Sequence, residues 1–241
     1  MNTLAWLRGA VGACRGTIIH PQWLSDRFHL LSRTTLGEIS NAVVVDVGCG
    51  RSDNCRWLGQ HNILYRLDYP ATNGRYENAP DIYGDACRLP VKTATIDAIL
   101  MLEVLEHVAD AEAALDEIRR VLRPGGKIYL SVPFIYPLHD QPFDYRRFTI
   151  YGLRQMLKNR GLHIEREIQH GNSLIVALQV FNLALVEVVR NLSRNHGVGA
   201  LAFAILIYPM MLVANILALP FLQNQSLEAA CFGYFIVARN E

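Results

Sequence analysis

The hydrophobic positions fall into two rhythms. Residues 41–47 (NAVVVDV) form a β-branched run that ends at Gly48 and predicts a buried parallel strand. Helical spacing follows over 52–60, then short strands over 64–68 and 82–85. Residues 69–82 between them are rich in turn dipeptides (Tyr-Pro, Asn-Gly, Ala-Pro) and predict a long loop over the sheet edge. A fourth strand is predicted over 96–102. A helix follows over 110–122, with Ala114, Leu115, Ile118 and Val121 on one face and Pro124-Gly125-Gly126 as its stop. Strands over 127–132, 163–169 and 231–238 complete the set, with a helix over 150–160 closed by Gly161. Strands alternating with helices predict βαβ units and an α/β fold on a mostly parallel sheet.

Two stretches break this rhythm. Residues 174–189 are apolar with three polar interruptions, Gln179, Asn182 and Glu187. Residues 200–222 carry no charge over 23 positions, long enough to cross a bilayer. Both lie between the sixth and seventh strands, so the expected organisation is a helical leader (1–39), a core (40–171), an apolar helical insertion (172–227) and a final core strand (228–241). Leu4, Leu7 and Val11 give the leader an amphipathic face, expected to pack on the main domain rather than on a membrane.

Composition sharpens the contrast. The chain has 241 residues, is 51% hydrophobic and 19% charged, and carries a net charge of +1. Only six Asp, Glu, Lys or Arg side chains lie in 171–241: Glu187, Arg190, Arg194, Glu228, Arg239 and Glu241. No basic excess points to a nucleic-acid partner. Five scattered cysteines without a C-x-x-C pair predict neither a disulfide framework nor a zinc site, fit a reducing cytosol, and leave no metal expected.

Strand 41–47 runs into the turn Gly48-Cys49-Gly50, where a Cβ would block a ligand's approach to the backbone. Asp68 ends the next strand, 18 residues beyond Gly50, where a carboxylate can accept both hydroxyl protons of a ribose. A dinucleotide would bring a pyrophosphate to this turn, but the third glycine position of that fingerprint holds Asp53. A cationic nucleoside such as S-adenosylmethionine suits Asp46 and Asp53 better. Gly84-Asp85-Ala86 offers a strand-end carboxylate, either to an adenine amine or to cap its own turn.

These residues resemble a known family. VVVDVGCG (43–50), RLD (66–68), GDA (84–86), LEVLEHV (102–108) and LRPGGKIYLSVPF (122–134) are similar to the ordered motifs of class I S-adenosylmethionine-dependent methyltransferases of the type 11 kind. The resemblance covers about residues 40–170 and the last ten. It implies a Rossmann-like sheet of seven strands with an antiparallel last strand, and S-adenosylmethionine as cofactor. It also implies roles: Gly48, Cys49 and Gly50 along the methionine part, Asp46 on its ammonium, Asp68 on the ribose, Asp85 and Ala86 on the adenine, and Leu102 and Glu103 near the methyl group. Ser52 stands where the family often has a third glycine. Tyr145-Arg146-Arg147-Phe148-Thr149 resembles a segment of bacterial methyltransferases linked to surface glycans.

The acceptor is expected at the loop after the fifth strand. His139 and Asp140 lie there, His139 being the candidate general base because imidazole titrates near neutrality. His107 is a second candidate, with a packing role as its alternative. Tyr145, Arg146 and Arg147 form a candidate acceptor site; the arginines either bind an anionic acceptor or pair with Asp140 or Asp144.

For the insertion, Arg190, Arg194 and His196 would sit outside if the hairpin crossed a membrane, against the positive-inside tendency. Pro209 also interrupts the second segment. The preferred expectation is a monotopic hairpin, through residues 173–226, in the cytoplasmic face of a membrane. The alternatives are a soluble cytoplasmic protein whose helices meet a second copy, or a lid over an apolar acceptor. The function expected is O-methylation of a glycan, glycolipid or lipid-linked acceptor. The runners-up are a quinone or small-lipid methyltransferase, and a non-catalytic cofactor-binding membrane partner.

Overall fold

The computed structural model describes residues 9, 12–50, 54–72, 79–195, 197–223 and 229–241. Leu4, Leu7, Val11, Ser52, Asp53 and His196 lie outside them. The chain forms two compact units. One gathers Ser32–Gln169 with Gly233–Glu241, and the other gathers Met1–Leu31 with His170–Phe232.

The first unit is a seven-stranded sheet. Its strands are β1 (Val43–Val47), β2 (Ile63–Asp68), β3 (Ile82–Tyr83), β4 (Ile96–Leu102), β5 (Leu122–Pro133), β6 (Leu162–His170) and β7 (Gly233–Asn240). Their order is β3-β2-β1-β4-β5-β7-β6. β1 pairs in parallel with β2 and β4, β2 with β3, and β4 with β5, while β7 is antiparallel to β5 from Lys127↔Arg239 to Pro133↔Gly233. The alternating α/β pattern is thus as the hydrophobic rhythm predicts, and the antiparallel last strand is as the family resemblance implies.

Leu36, Ile39, Val44, Leu100, Tyr129 and Phe235 form a buried cluster in this unit. The helix Ala111–Val121 buries Ala114, Leu115, Ile118 and Val121. Full burial of each Leu or Ile contributes about 1.5–3 kcal/mol. Asp110 caps this helix by accepting from the Ala113 amide at 3.0 Å. A shorter helix, Ile150–Lys158, is capped by Thr149.

Two expectations change. Over the predicted helix 52–60, the described residues hold only a single 3-10 turn, Asn54–Trp57. Pro124-Gly125-Gly126 does end the preceding helix, but β5 starts at once at Leu122. The register then shifts between Ile96↔Leu122 and Ala98↔Lys127, so these residues form a bulge. Gly125 has φ +79, and a Cβ on Gly126 would lie 3.0 Å from two backbone oxygens, which is why glycines stand there.

The second unit is built on two long helices, Ser173–Asn195 and Gly197–Ala218. The first runs further than its apolar stretch, so Arg190 and Arg194 lie in its last turns and not in a connecting loop. Basic residues suit a helix C-terminus. Three amide side chains turn inward, while Glu187 and Arg190 are exposed. Gln179, Asn182 and Asn215 are almost fully buried. Gln179 donates to Pro21 O at 2.9 Å, and Asn182 donates to Asn215 Oδ1 at 3.0 Å. Asn215 in turn donates to Ile18 O and His20 O at 2.7 and 3.1 Å. Ile175, Val176, Ile207 and Met211 are buried with them, but many large apolar side chains turn outward: Leu206 is 70% exposed and Ile205 68%, with Met210, Val213, Ile216 and Leu217 also exposed. Both helices are long and apolar enough to cross a membrane by length and composition.

Candidate active site

The site is assembled at the carboxyl ends of the parallel strands, where open α/β sheets bind ligands. β1 ends in the turn Gly48-Cys49-Gly50, with Gly48 at φ +70 and Gly50 at φ +50. A Cβ on Gly48 would stand 2.5 Å from a methyl of Val104, so β1 and the segment after β4 approach as closely as they do only because no side chain intervenes. The amides of Gly48 and Cys49 donate to Leu67 O, and the Gly50 amide donates to Asp68 Oδ2 at 2.8 Å. The turn is therefore tied to the end of β2 by backbone and carboxylate together.

Four acidic side chains share this edge. Asp46, within β1, is buried and accepts from Asn54 Nδ2 at 2.9 Å. Burial pushes its carboxyl up to about 6, against the lowering effect of the Asn54 bond. Asp68, at the end of β2, is also buried. Glu103 follows β4 with φ +57; its amide donates to both O and Oγ of Ser131, at 3.0 and 3.1 Å, and its Oε1 is buried without a hydrogen-bond partner. Leu102, the last residue of β4, pairs with Ser131. Asp85 follows β3 and caps its own turn, accepting from the Cys87 amide at 2.8 Å, with Ala86 buried beside it. Among the described residues, no ion pair neutralises Asp46, Asp68 or Glu103; the nearby Arg66 is engaged by Asp81 at 3.1 Å. Cys49 is buried and its thiol is pushed up to about 12 by burial and the neighbouring carboxylates, so it is no nucleophile.

This edge fits a cationic nucleoside. Carboxylates that form no ion pair among the described residues, one with a buried oxygen awaiting a donor, suit an ammonium and a sulfonium, and they repel a pyrophosphate.

A second cluster lies beside the first. Glu106 and His107 occupy the 3-10 turn Leu105–His107 after β4, and His139 lies on the segment after β5. The Glu106 side chain is fully buried, and neither oxygen has a hydrogen-bond donor. Its Oε1 lies 3.6 Å from His107 Nε2 and 3.7 Å from His139 Nε2. Burial raises the Glu106 pKa, and the facing carboxylate raises that of His139. The two imidazole rings meet edge to face at 4.8 Å. The His139 amide donates to Asp144 Oδ2 at 3.0 Å. Arg147 holds the same Asp144 through a bidentate pair, one arm at 2.8 Å, and keeps its carboxyl down at about 2.

The remaining candidates are placed differently. Arg147 takes the pairing with Asp144 that the sequence offers as one of two options. Arg146 donates to Ala109 O at 2.6 Å and lines a groove with Asp110, Glu112 and Asp116, an acidic surrounding for a group expected to hold an anion. Tyr145 is exposed, and its amide donates to Glu106 O at 2.9 Å. Asp140, at φ +48, is exposed and joins none of these pairs. Glu106, Asn54 and Ser131 carry no role in the sequence reading, and Asp144 enters it only as a partner for the arginines. Glu106 had a readable signal, a carboxylate between Leu105 and His107 directly after a buried strand.

Residues 45–130 match the family described as methyltransferase domain, type 11. A tRNA (carboxymethyluridine(34)-5-O)-methyltransferase of Macaca fascicularis is 37% identical over 105 residues, 39% of this chain and 15% of that protein. A protein of Mycolicibacterium smegmatis named as a probable S-adenosylmethionine-dependent methyltransferase is 26% identical over 159 residues, 56% of this chain and 62% of that one. The chain thus spans less than two thirds of the length of either relative. The solved structure of an S-adenosylmethionine-dependent methyltransferase from Mesorhizobium loti shares the fold, with a TM-score of 0.52 at 17% identity over 91% of this chain and 97% of that one. The domain match runs from β1 into β5 of a sheet whose last strand is antiparallel, so residues 45–130 carry a methyltransferase domain of the type 11 family.

Proposed function

We propose that this protein transfers a methyl group from S-adenosylmethionine to a hydroxyl oxygen of a glycan, glycolipid or other lipid-linked acceptor at the cytoplasmic face of a membrane. The observation that carries the donor half is the acid-lined glycine turn, with Asp46, Asp68 and Glu103 free of cationic partners among the described residues. Asp46, oriented by Asn54, takes the ammonium; Asp68 takes the ribose hydroxyls; Gly48, Cys49 and Gly50 give the backbone approach. Asp85 and Ala86 border the adenine, and Leu102 and Glu103 border the reacting methyl. When bound, the donor supplies a methyl group on a sulfonium, displaced in line while sulfur keeps the bonding pair. The protein's part is to align the acceptor, exclude water and take up the hydroxyl proton. The Glu106–His139 pair is the group on the acceptor side that receives that proton.

The membrane half rests on the helical unit, whose charges are sparse, whose three amide side chains are buried and many of whose large apolar side chains face out. An exposed apolar surface of that kind marks a membrane or partner site. A monotopic hairpin accounts for it with the basic residues Arg190 and Arg194 left at the headgroups. One observation favours a second reading. Arg147 is consumed by Asp144 and Arg146 faces carboxylates, so an uncharged phenolic or quinol acceptor in the bilayer also suits the site.

Calorimetry with S-adenosylmethionine tests the donor half: heat of binding is expected for the wild type and its loss for Asp68→Ala. Fractionation without detergent tests the membrane half, since a chain that stays soluble contradicts it. Mass spectrometry of lipid-linked glycans and quinones, with and without the protein, separates the acceptors by a gain of one CH₂. No such gain in any acceptor would favour a non-catalytic binding protein.

A further inference from the structure

The cluster after β4 poses a hydrogen-bonding problem. His107 Nδ1 lies 3.1 Å from the carbonyl oxygen of Phe143, and His139 Nδ1 lies 3.3 Å from that of Pro137 and 3.4 Å from Asp144 Oδ2. A carbonyl or carboxylate oxygen only accepts, so each Nδ1 carries the proton. In the neutral imidazole each Nε2 then presents a lone pair. Both Nε2 atoms face the same acceptor, Glu106 Oε1, at 3.6 and 3.7 Å. Glu106 is wholly buried and neither of its oxygens has a hydrogen-bond donor. Three lone-pair donors therefore converge on one point, none more than 4.8 Å from another.

We propose that Glu106, His107 and His139 form a site for one divalent transition-metal ion. Anchoring Nδ1–H on a carbonyl or carboxylate while Nε2 faces inward is how metal-binding histidines are held, and Asp144, itself fixed by Arg147, is the outer carboxylate for His139. Two imidazoles and one carboxylate suit zinc, manganese or iron, and suit magnesium poorly because it prefers oxygen ligands and retained water. Tetrahedral bonds of about 2.0–2.2 Å place donors about 3.3–3.6 Å apart, so the pairs at 3.6 and 3.7 Å are nearly in place and the widest pair must close by about an ångström or more through side-chain torsions. The histidine side chains are 20% and 27% exposed while Glu106 is sealed, so one side stays open for water or an acceptor oxygen. The lack of a C-x-x-C pair does not bear on this site, which uses no sulfur. The ion's place in catalysis rests on the methyltransferase reading: with the ion bound, Glu106 and His139 are ligands and no longer the proton receiver, an acceptor hydroxyl on the open position becomes more acidic, and its proton leaves to solvent as the new C–O bond forms and the donor's C–S bond breaks. The ion's binding does not rest on that reading.

The test uses the full chain in detergent after chelator treatment, titrated with Zn²⁺ alone and with Co²⁺ alone. One equivalent of each is expected to bind, with Co²⁺ producing visible d–d absorption. Glu106→Gln and His139→Gln should each weaken binding by more than the roughly 10–100-fold that loss of an outer-shell partner costs, and Asp144→Asn by about that amount. His107→Gln replaces either ligand variant that loses its circular dichroism. No stoichiometric binding by the wild type, or unchanged affinity in the folded ligand variants, overturns the site and leaves a protonated imidazole pair in its place. S-adenosylmethionine binding is measured on the same samples. Metal binding without donor binding overturns the methyltransferase reading and leaves the site standing, and the reverse result does the opposite.

Discussion

The two units solve opposite problems with the same residue types. In the sheet unit, Leu100, Ile99 and Phe235 are fully buried, and the site's acids stand at the strand ends. In the helical unit, Gln179, Asn182 and Asn215 share the buried positions with Ile175, Ile207 and Met211, while Ile205, Leu206 and Leu217 face out. Water explains the first arrangement, because burying apolar side chains is the main favourable term there. It does not explain the second. An amide seam inside an apolar coat is what a hydrocarbon surrounding favours, since unpaired polar groups are costly there and exposed Leu is not.

This contrast can be broken by exchanging the two rules. The largest effect is expected from Leu100→Asn, which places an amide in the buried sheet core. It loses the apolar transfer term and leaves the amide unpaired, about 4 kcal/mol in all, and chemical denaturation should show it. The exposed Leu206→Asn is the matched control, expected to change stability in detergent by less than about 1 kcal/mol. The next effect tests the outward face directly. Leu206→Arg should lower partition into anionic vesicles by roughly 100-fold, about 3 kcal/mol on the insertion scale, with the sheet unit's circular dichroism unchanged. Unchanged partition would mean that this face meets protein and not lipid. Smaller again is Asn215→Leu, which removes the donors to Ile18 O and His20 O and the acceptor for Asn182. A loss of about 2 kcal/mol is expected, read as faster hydrogen exchange in the segment 173–195. A gain in stability would show that the seam is an ordinary buried defect.

The same contrast decides what was legible in the sequence. β4 was readable to the residue over 96–102, because an apolar run between turn residues has one sensible register. The glycine turn and Asp68 were readable because a strand, a G-x-G turn and a second strand's last residue have fixed spacing. The two apolar helices were readable from length and lack of charge. Their inward seam was harder to see: Asn182 and Asn215 lie 33 positions apart on different helices, and only their packing places them opposite each other. Glu106 and His139 are likewise 33 positions apart. They meet because β4 and β5 are paired neighbours whose following segments leave the same sheet edge. Pro124-Gly125-Gly126 was ambiguous for another reason. The residues that stop a helix also make a bulge, and both happen within five positions.

The smallest effect concerns two buried groups kept neutral in different surroundings. In the sheet unit, burial raises the Asp46 carboxyl to about 6. In the helical unit, burial and the neighbouring His29 lower His170 to about 3. The signs of their linkage are opposite. Asp46 binds its proton more tightly folded than unfolded, so its contribution is complete below its ordinary value near 4 and is lost as pH rises through about 6. His170 binds its proton less tightly folded, so its contribution is complete above about 6.5 and is lost as pH falls towards 3. Between about pH 4 and 6 the sheet unit should therefore weaken as pH rises while the helical unit strengthens, each by at most about 1.4 kcal/mol per pH unit. Hydrogen exchange in β1 and in the first turns of the helix Ser173–Asn195 reads the two separately. Asp46→Asn should flatten the first slope and leave the second, and His170→Phe should do the reverse. Donor binding adds a further sign. An ammonium seated on Asp46 requires the carboxylate, so affinity for S-adenosylmethionine should rise with pH up to about 6 and level off above it, measured by calorimetry in buffers of different ionisation heat. A flat profile in the wild type would remove Asp46 from the ammonium and leave that role to Glu103, whose Oε1 is buried at this edge without a hydrogen-bond partner.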